Sequence, residues 1–177
     1  MELAVLLPIA AFIALAAGLV VVLQRTGRIV ARTRELEVFK TNVIDLASRV
    51  DSSLGGAAGQ IDAVRRRQLA PDAIGETLEA ATDAVEKYAN EARALRGPRE
   101  TNRLRNDIIG ELERAGRALG TVEHGTTMLL NSRPRELEAE TSIKRGYLNL
   151  LHAREAIARH ALAAAKLPDA DDTNGVH

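Results

Sequence analysis

Apolar and polar positions are arranged in two different ways along this chain. Between Leu3 and Leu23 there is no alternation: LAVLLPIAAFIALAAGLVVVL carries no charge over 21 residues. At ~1.5 Å per residue a helix of that length reaches ~31 Å, the thickness of a bilayer's hydrocarbon core. Thirteen of its residues are Leu, Ile, Val or Phe, and at roughly −0.4 kcal/mol each the segment gains about 5 kcal/mol on insertion. One transmembrane helix over 3–23 is therefore expected. A cleavable signal peptide would begin with a basic stretch, hold ~7 to 15 apolar residues and close on a small-x-small site. Here Met1 and Glu2 precede a longer run, and no such site ends it.

Beyond the run the pattern becomes periodic. Ile29, Leu36, Val43, Val50, Ala57 and Val64 recur every seven residues, with Phe39, Leu46, Leu54 and Ile61 between them. That is the heptad seam of one long, coiled-coil-like helix. Its weak stretch is SSLGGAAG, Ser52 to Gly59, where each glycine costs about 1 kcal/mol relative to Ala. A second helix opens at Pro71 and Asp72, carries Ile74, Leu78, Ala81, Val85, Tyr88, Ala92 and Leu95 on one face, and ends at Gly97 and Pro98. The third holds Leu104, Ile108, Leu112, Ala115, Leu119, Val122, Thr126 and Leu129, and stops at Asn131 to Pro134. Ser132 is placed to cap a fourth, with Ile143, Tyr147, Leu150, Ile157, Ala161 and Ala164 on its apolar face and Leu167-Pro168 at its end.

The fold class is accordingly all-α: one N-terminal transmembrane helix followed by an antiparallel bundle of about four helices, the first of them long. The chain divides into a span over 3–23, a basic juxtamembrane helical stalk over 24–45, a cytoplasmic bundle over 46–166, and an acidic tail over 167–177 expected to be disordered. Folding back at Pro71 sets Val64 opposite Leu78, Ala57 opposite Val85, Val50 opposite Ala92 and Leu46 opposite Leu95. At that level the second helix runs out. Ile29, Leu36, Phe39 and Val43 are then left without cover, and a parallel homodimeric stalk, or a helical partner, is expected over them. A ridge of small residues, Ala10, Ala14 and Gly18, offers a second contact between membrane helices.

Charge sets the topology. Arg25, Arg28, Arg32 and Arg34 follow the apolar run before any acidic residue, so the C-terminal side is expected in the cytoplasm of a cell-membrane protein, with the arginines on lipid head groups. Over the whole chain Lys and Arg balance Asp and Glu at 24 each, leaving no net field toward nucleic acid. Cysteine and Trp are absent, which removes disulfides and thiolate chemistry. Arg outnumbers Lys 20 to 4, the bias of a GC-rich bacterial genome.

Candidate chemistry is thin. His124, His152, His160 and His177 contain no pair at i, i+4 and no H-E-x-x-H string, so no metal or cofactor is expected. Glu123-His124-Gly125 lies where phosphorelay bundles expose a histidine, yet Thr127 and Met128 stand where a basic residue would follow. The segment RELEVFKTNVIDLASRV after a membrane helix resembles the first dimerisation helix of a histidine kinase, without its histidine or an ATP-binding domain. GGAAG lacks the Lys-Ser/Thr of a phosphate loop, and Arg65-Arg66-Arg67 lacks interleaved aromatics for stacking on bases. The expected role is a membrane-anchored interaction or scaffold protein, with a signal-relay component as the alternative and catalysis less favoured. No small-molecule ligand is indicated.

Overall fold

The computed structural model describes residues 3–131 and 135–168, and within 3–29 the side chains of Leu15 and Leu19 alone. The described residues are mostly helical, with no strand: α1 (Leu3–Arg65), a 3-10 turn at Pro71–Ile74, α2 (Gly75–Ala94), a second 3-10 turn at Arg99–Thr101, α3 (Asn102–Asn131) and α4 (Glu136–Ala165). Two compact units divide the chain. One comprises Met1–Glu37 with Pro168–His177, the other Val38–Leu167.

Of the first unit the structure describes chiefly the backbone, helical from Leu3 onward. Among the residues whose side chains are described, no helix is long and apolar enough to cross a membrane. The run 3–23 falls outside them apart from Leu15 and Leu19, which are 71% and 56% exposed, so the span remains a reading of the sequence. Ile29, Arg25, Arg28, Ala10, Ala14 and Gly18 also lie outside the described side chains, as do the Ser132 cap and the tail from 169 onward.

The second unit is an up-down-up-down four-helix bundle. Neighbouring helices run antiparallel: Arg49 of α1 meets Glu91 of α2 and Gln60 meets Thr77, Arg93 of α2 meets Glu113 of α3, Gly146 of α4 faces Val122 of α3, and Arg154 of α4 returns to Asp51 of α1. The last four C=O groups of a helix have no ladder partner, and α1 ends by meeting three of its own locally, Arg66 N–H donating to Asp62 C=O at 2.9 Å. Arg67 turns into the left-handed region at φ 60°, so that its N–H donates to Val64 C=O at 2.9 Å and Gln68 N–H donates to Ala63 C=O at 2.8 Å. This is the paired closure usually built on glycine.

Heptad positions form the core. Phe39, Leu46, Leu54, Ile61, Ile74, Ile108, Leu112, Leu119, Ile143, Leu150 and Ile157 are all buried in one continuous cluster. Between α3 and α4 the packing is tighter than leucine spacing allows. A Cβ on Gly146 would stand 2.6 Å from Val122 Cγ2 and 2.7 Å from Ala118 O, and one on Gly125 would stand 2.8 Å from Ile143 Cγ1. Backbone lies almost on backbone there, which only glycine permits.

Ser53 beside Tyr88 and Arg49 beside Glu91 lie within a residue or two of the expected register of α1 on α2, but the inference drawn from it fails. Leu36, Phe39 and Val43 are 3%, 0% and 1% exposed within the single chain. α2 ends at Ala94, earlier than the expected stop at Gly97 and Pro98, with Leu95 already out of the helical region at ψ 125°. The chain then runs on past the end of α2. Leu95 to Pro98 is extended or irregular before the turn at Arg99–Thr101, and it folds over the seam, so that a Cβ on Gly97 would sit 2.9 Å from Phe39 Cδ2 and 2.7 Å from Thr101 Oγ1. Arg105 donates to Leu95 C=O at 3.2 Å and Thr101 Oγ1 donates to Pro98 C=O at 2.7 Å, which pins the strap. A break in the apolar pattern was the cover. The argument for a parallel stalk at Leu36, Phe39 and Val43 goes with it, and the compact unit that holds the bundle runs from Val38 to Leu167.

Candidate functional site

Two polar constructions stand out on the bundle. The first is a seam along α1. Arg49 donates through Nη2 to Glu91 at 2.7 Å and through Nε to Asp45 at 2.9 Å, while its guanidinium carbon lies 5.4 Å from the centre of the Tyr88 ring. Tyr88 OH shares a hydrogen bond with Ser53 Oγ at 2.9 Å. On the opposite flank Arg154 donates to the Asp51 carboxylate at 2.6 Å, and its Nε is buried without a hydrogen-bond partner among the described residues.

The second is a cleft of about 820 Å³ beside the turn that ends α1. Val64, Leu69, Leu129 and Ile143 supply its apolar lining, and Arg65, Arg67, Lys144, Glu136 and Glu140 its charges. The arginines among these charges are paired with carboxylates. Arg67 donates to Glu140 at 2.7 Å and to Glu136 at 3.1 Å; Arg65 donates to Asp62 at 2.6 Å, with its guanidinium carbon 5.0 Å from the Tyr147 ring centre. Arg66 also reaches Asp62, at 2.7 Å. All three arginines of the triplet are thus neutralised by carboxylates of the same chain.

Proton affinities follow the pairing. The hydrogen bond from Arg49 holds the Glu91 carboxyl below its ordinary value, and that from Arg65 does the same for Asp62. In return Glu91 raises Arg49 and Glu140 raises Arg67. Each shift favours the charged form. Structural ion pairs do this, whereas a general acid or base has its affinity moved toward neutrality.

The residues singled out by sequence are not brought together. Arg32 and Arg34 are exposed, as are His124 and His152; His160 is half-buried and His177 lies outside the described residues. No group of three His, Asp or Glu able to hold a metal ion occurs among the described residues. The cleft and the Arg154 bridge were not legible in the pattern, because both depend on which helix follows which around the ring. Gly55 was the one trace, a single bare residue of backbone beneath the long side chain of Arg154. No known family, no curated protein and no solved structure matches the chain.

Proposed function

We propose that this chain is a membrane-anchored interaction protein: a helical bundle held at the cytoplasmic face of the cell membrane by one N-terminal span. The observation that carries the reading is the uncharged run Leu3–Leu23 followed at once by Arg25, Arg28, Arg32 and Arg34. An apolar stretch of that length enters a bilayer favourably, and cations on one flank keep that flank inside. The bundle supports a binding rather than a chemical role, because its buried interior is apolar save for Lys40, Thr101 and Thr126 and its strongest polar contacts are ion pairs already satisfied within the chain. A relay of conformational change is a second reading, favoured by the continuity of α1 through the glycines at 55, 56 and 59. Fractionation tests the anchor: the full chain is expected in alkaline-washed membranes and a chain lacking 3–23 in the supernatant. A reporter active only outside the cytoplasm, fused after His177, is expected to stay silent. Release of the full chain by the alkaline wash, or an active reporter, overturns the proposal.

A further inference from the structure

The outer face of α4 carries leucines that nothing in the chain covers. Leu137, Leu148 and Leu162 are 79%, 43% and 63% exposed, and Leu151 is half-buried. Single exposed leucines are ordinary. These four share one stripe: at about 100° per residue they fall within an arc of about 60°, together with the exposed side chains of Lys144 and Glu155.

The stripe reads the same in both directions about a point midway between Leu148 and Leu151. Under a two-fold axis there, Leu148 of one copy meets Leu151 of the other, and Leu137 meets Leu162. Between these, Lys144 meets Glu155, opposite charges at both symmetry-related places. At the edges, Glu140 and Ala158 share one flank and Thr141 and Arg159 the other, so that no like charges are brought together there. Apolar thus faces apolar and Lys144 faces Glu155 at both symmetry-related places, as an isologous contact requires. From this self-complementarity we propose that a second copy of the chain packs antiparallel along α4, forming a symmetric homodimer. An anionic lipid surface would call for cations alone along the stripe, whereas here they alternate with Glu140 and Glu155.

Carboxylates at the contact already have partners on their own chain. Glu155 holds Arg159 at 2.9 Å and Glu140 holds Arg67 at 2.7 Å. All four of these side chains are at least 45% exposed, so the second copy's cations join these pairs without breaking buried ones. The two Val38 ends of such a pair point in opposite directions. This contact joins the two bundles alone. It names the partner in the interaction reading and rests on that reading, though not on the anchor.

The test is sedimentation of the full chain in density-matched detergent as concentration is raised, for the natural sequence, Lys144→Glu, Glu155→Lys and the double variant. A monomer–dimer equilibrium is expected for the natural chain. Each single exchange sets like charges face to face at two places and should weaken the dimer about tenfold or more. The double variant, and an equal mixture of the two single variants, should restore it. Helicity by circular dichroism checks folding, and because both sites are exposed it should not move. The natural chain has no cysteine, so Leu148→Cys gives a second measurement: it should cross-link between copies, and Arg145→Cys, to the side of the stripe, should not. A monomer at every concentration, a dimer indifferent to the exchanges, or a double variant no better than the singles overturns the proposal. So does an unchanged sedimentation profile accompanied by loss of flotation with anionic vesicles, which would make the face a lipid surface. Failure of the anchor would instead show as release by alkaline wash with this dimer intact.

Discussion

Arg154 lies across Gly55: a Cβ on that glycine would stand 3.2 Å from Nη2, and the same guanidinium donates to Asp51 at 2.6 Å. Four helical glycines therefore have different futures on replacement by alanine. At Gly56 and Gly59 nothing lies within 4 Å, so each alanine should stabilise the bundle by about 0.5–1 kcal/mol through helix propensity alone. Gly55→Ala gains the same amount and loses some of it by displacing a flexible side-chain end, for a net change within about 1 kcal/mol. Gly146→Ala meets backbone at 2.7 Å and should cost about 3 kcal/mol as α3 and α4 are forced apart. Urea denaturation midpoints check the order. Destabilisation by Gly56→Ala would mean that α1 is not a continuous helix there.

Phe39 is fully buried beneath Gly97. Phe39→Ala is expected to lower the stability of the isolated chain by about 3–5 kcal/mol, and Gly97→Ala to destabilise as well by pushing the strap off the ring. If Phe39→Ala left unfolding unchanged and affected only association, the seam would be facing a second chain after all.

Val85 is 3% exposed and lies under Gly116 of α3. Val85→Asp puts an unpaired carboxylate into that contact, and several kcal/mol of destabilisation is the expected result. Circular dichroism at 37 °C should show loss of helicity, while Val85→Ile should retain it.

Acid sensitivity follows from Glu91 and Asp62, whose folded-state affinities for the proton are lowered chiefly by hydrogen bonds from Arg49 and Arg65. A lowered carboxyl contributes stability that is full above its unfolded value, about 4, and is lost as pH falls through the folded value. Stability should thus be level from about pH 7 to 5 and decline below about pH 4. With Arg49 and Glu91 side chains 41% and 34% exposed, the Glu91 share is below about 1 kcal/mol. Glu91→Gln should lower the midpoint at neutral pH and converge on the natural chain in acid. An equal loss at both pH values would argue against the linkage.

The four helices of the bundle were legible because their apolar faces repeat at three and four: Leu78, Ala81, Val85 and Ala92 are buried as that spacing requires, and so are Ile108, Leu112, Ala115 and Leu119. The strap at Leu95 to Thr101 was not. Period carries information only inside a helix, and Gly97 over Phe39 is a contact between irregular chain and a helix 58 residues earlier. The Arg67 closure was hidden for a related reason. Sequence marks a left-handed helix end by glycine, and here Glu136 and Glu140 bond an arginine in that position. In the α4 face the leucines were visible, but which of them the bundle would leave uncovered depended on the arrangement of all four helices.

The ring of helices closes between its first and last members. Arg154 reaches Asp51 across 103 residues, and Arg67 reaches Glu136 and Glu140 across 69 and 73. These contacts join the parts of the bundle that leave the ribosome earliest and latest, so during synthesis α1 waits with one flank bare until α4 has emerged. Local closures such as the turn at Arg67 form early, while loops of that length close late. Completion of the bundle then coincides with the arrival of its final helix. A lesion in α4 such as Gly146→Ala prolongs the interval in which chaperones and proteases meet an open three-helix chain, and its effect on cellular abundance should exceed what equilibrium stability alone implies.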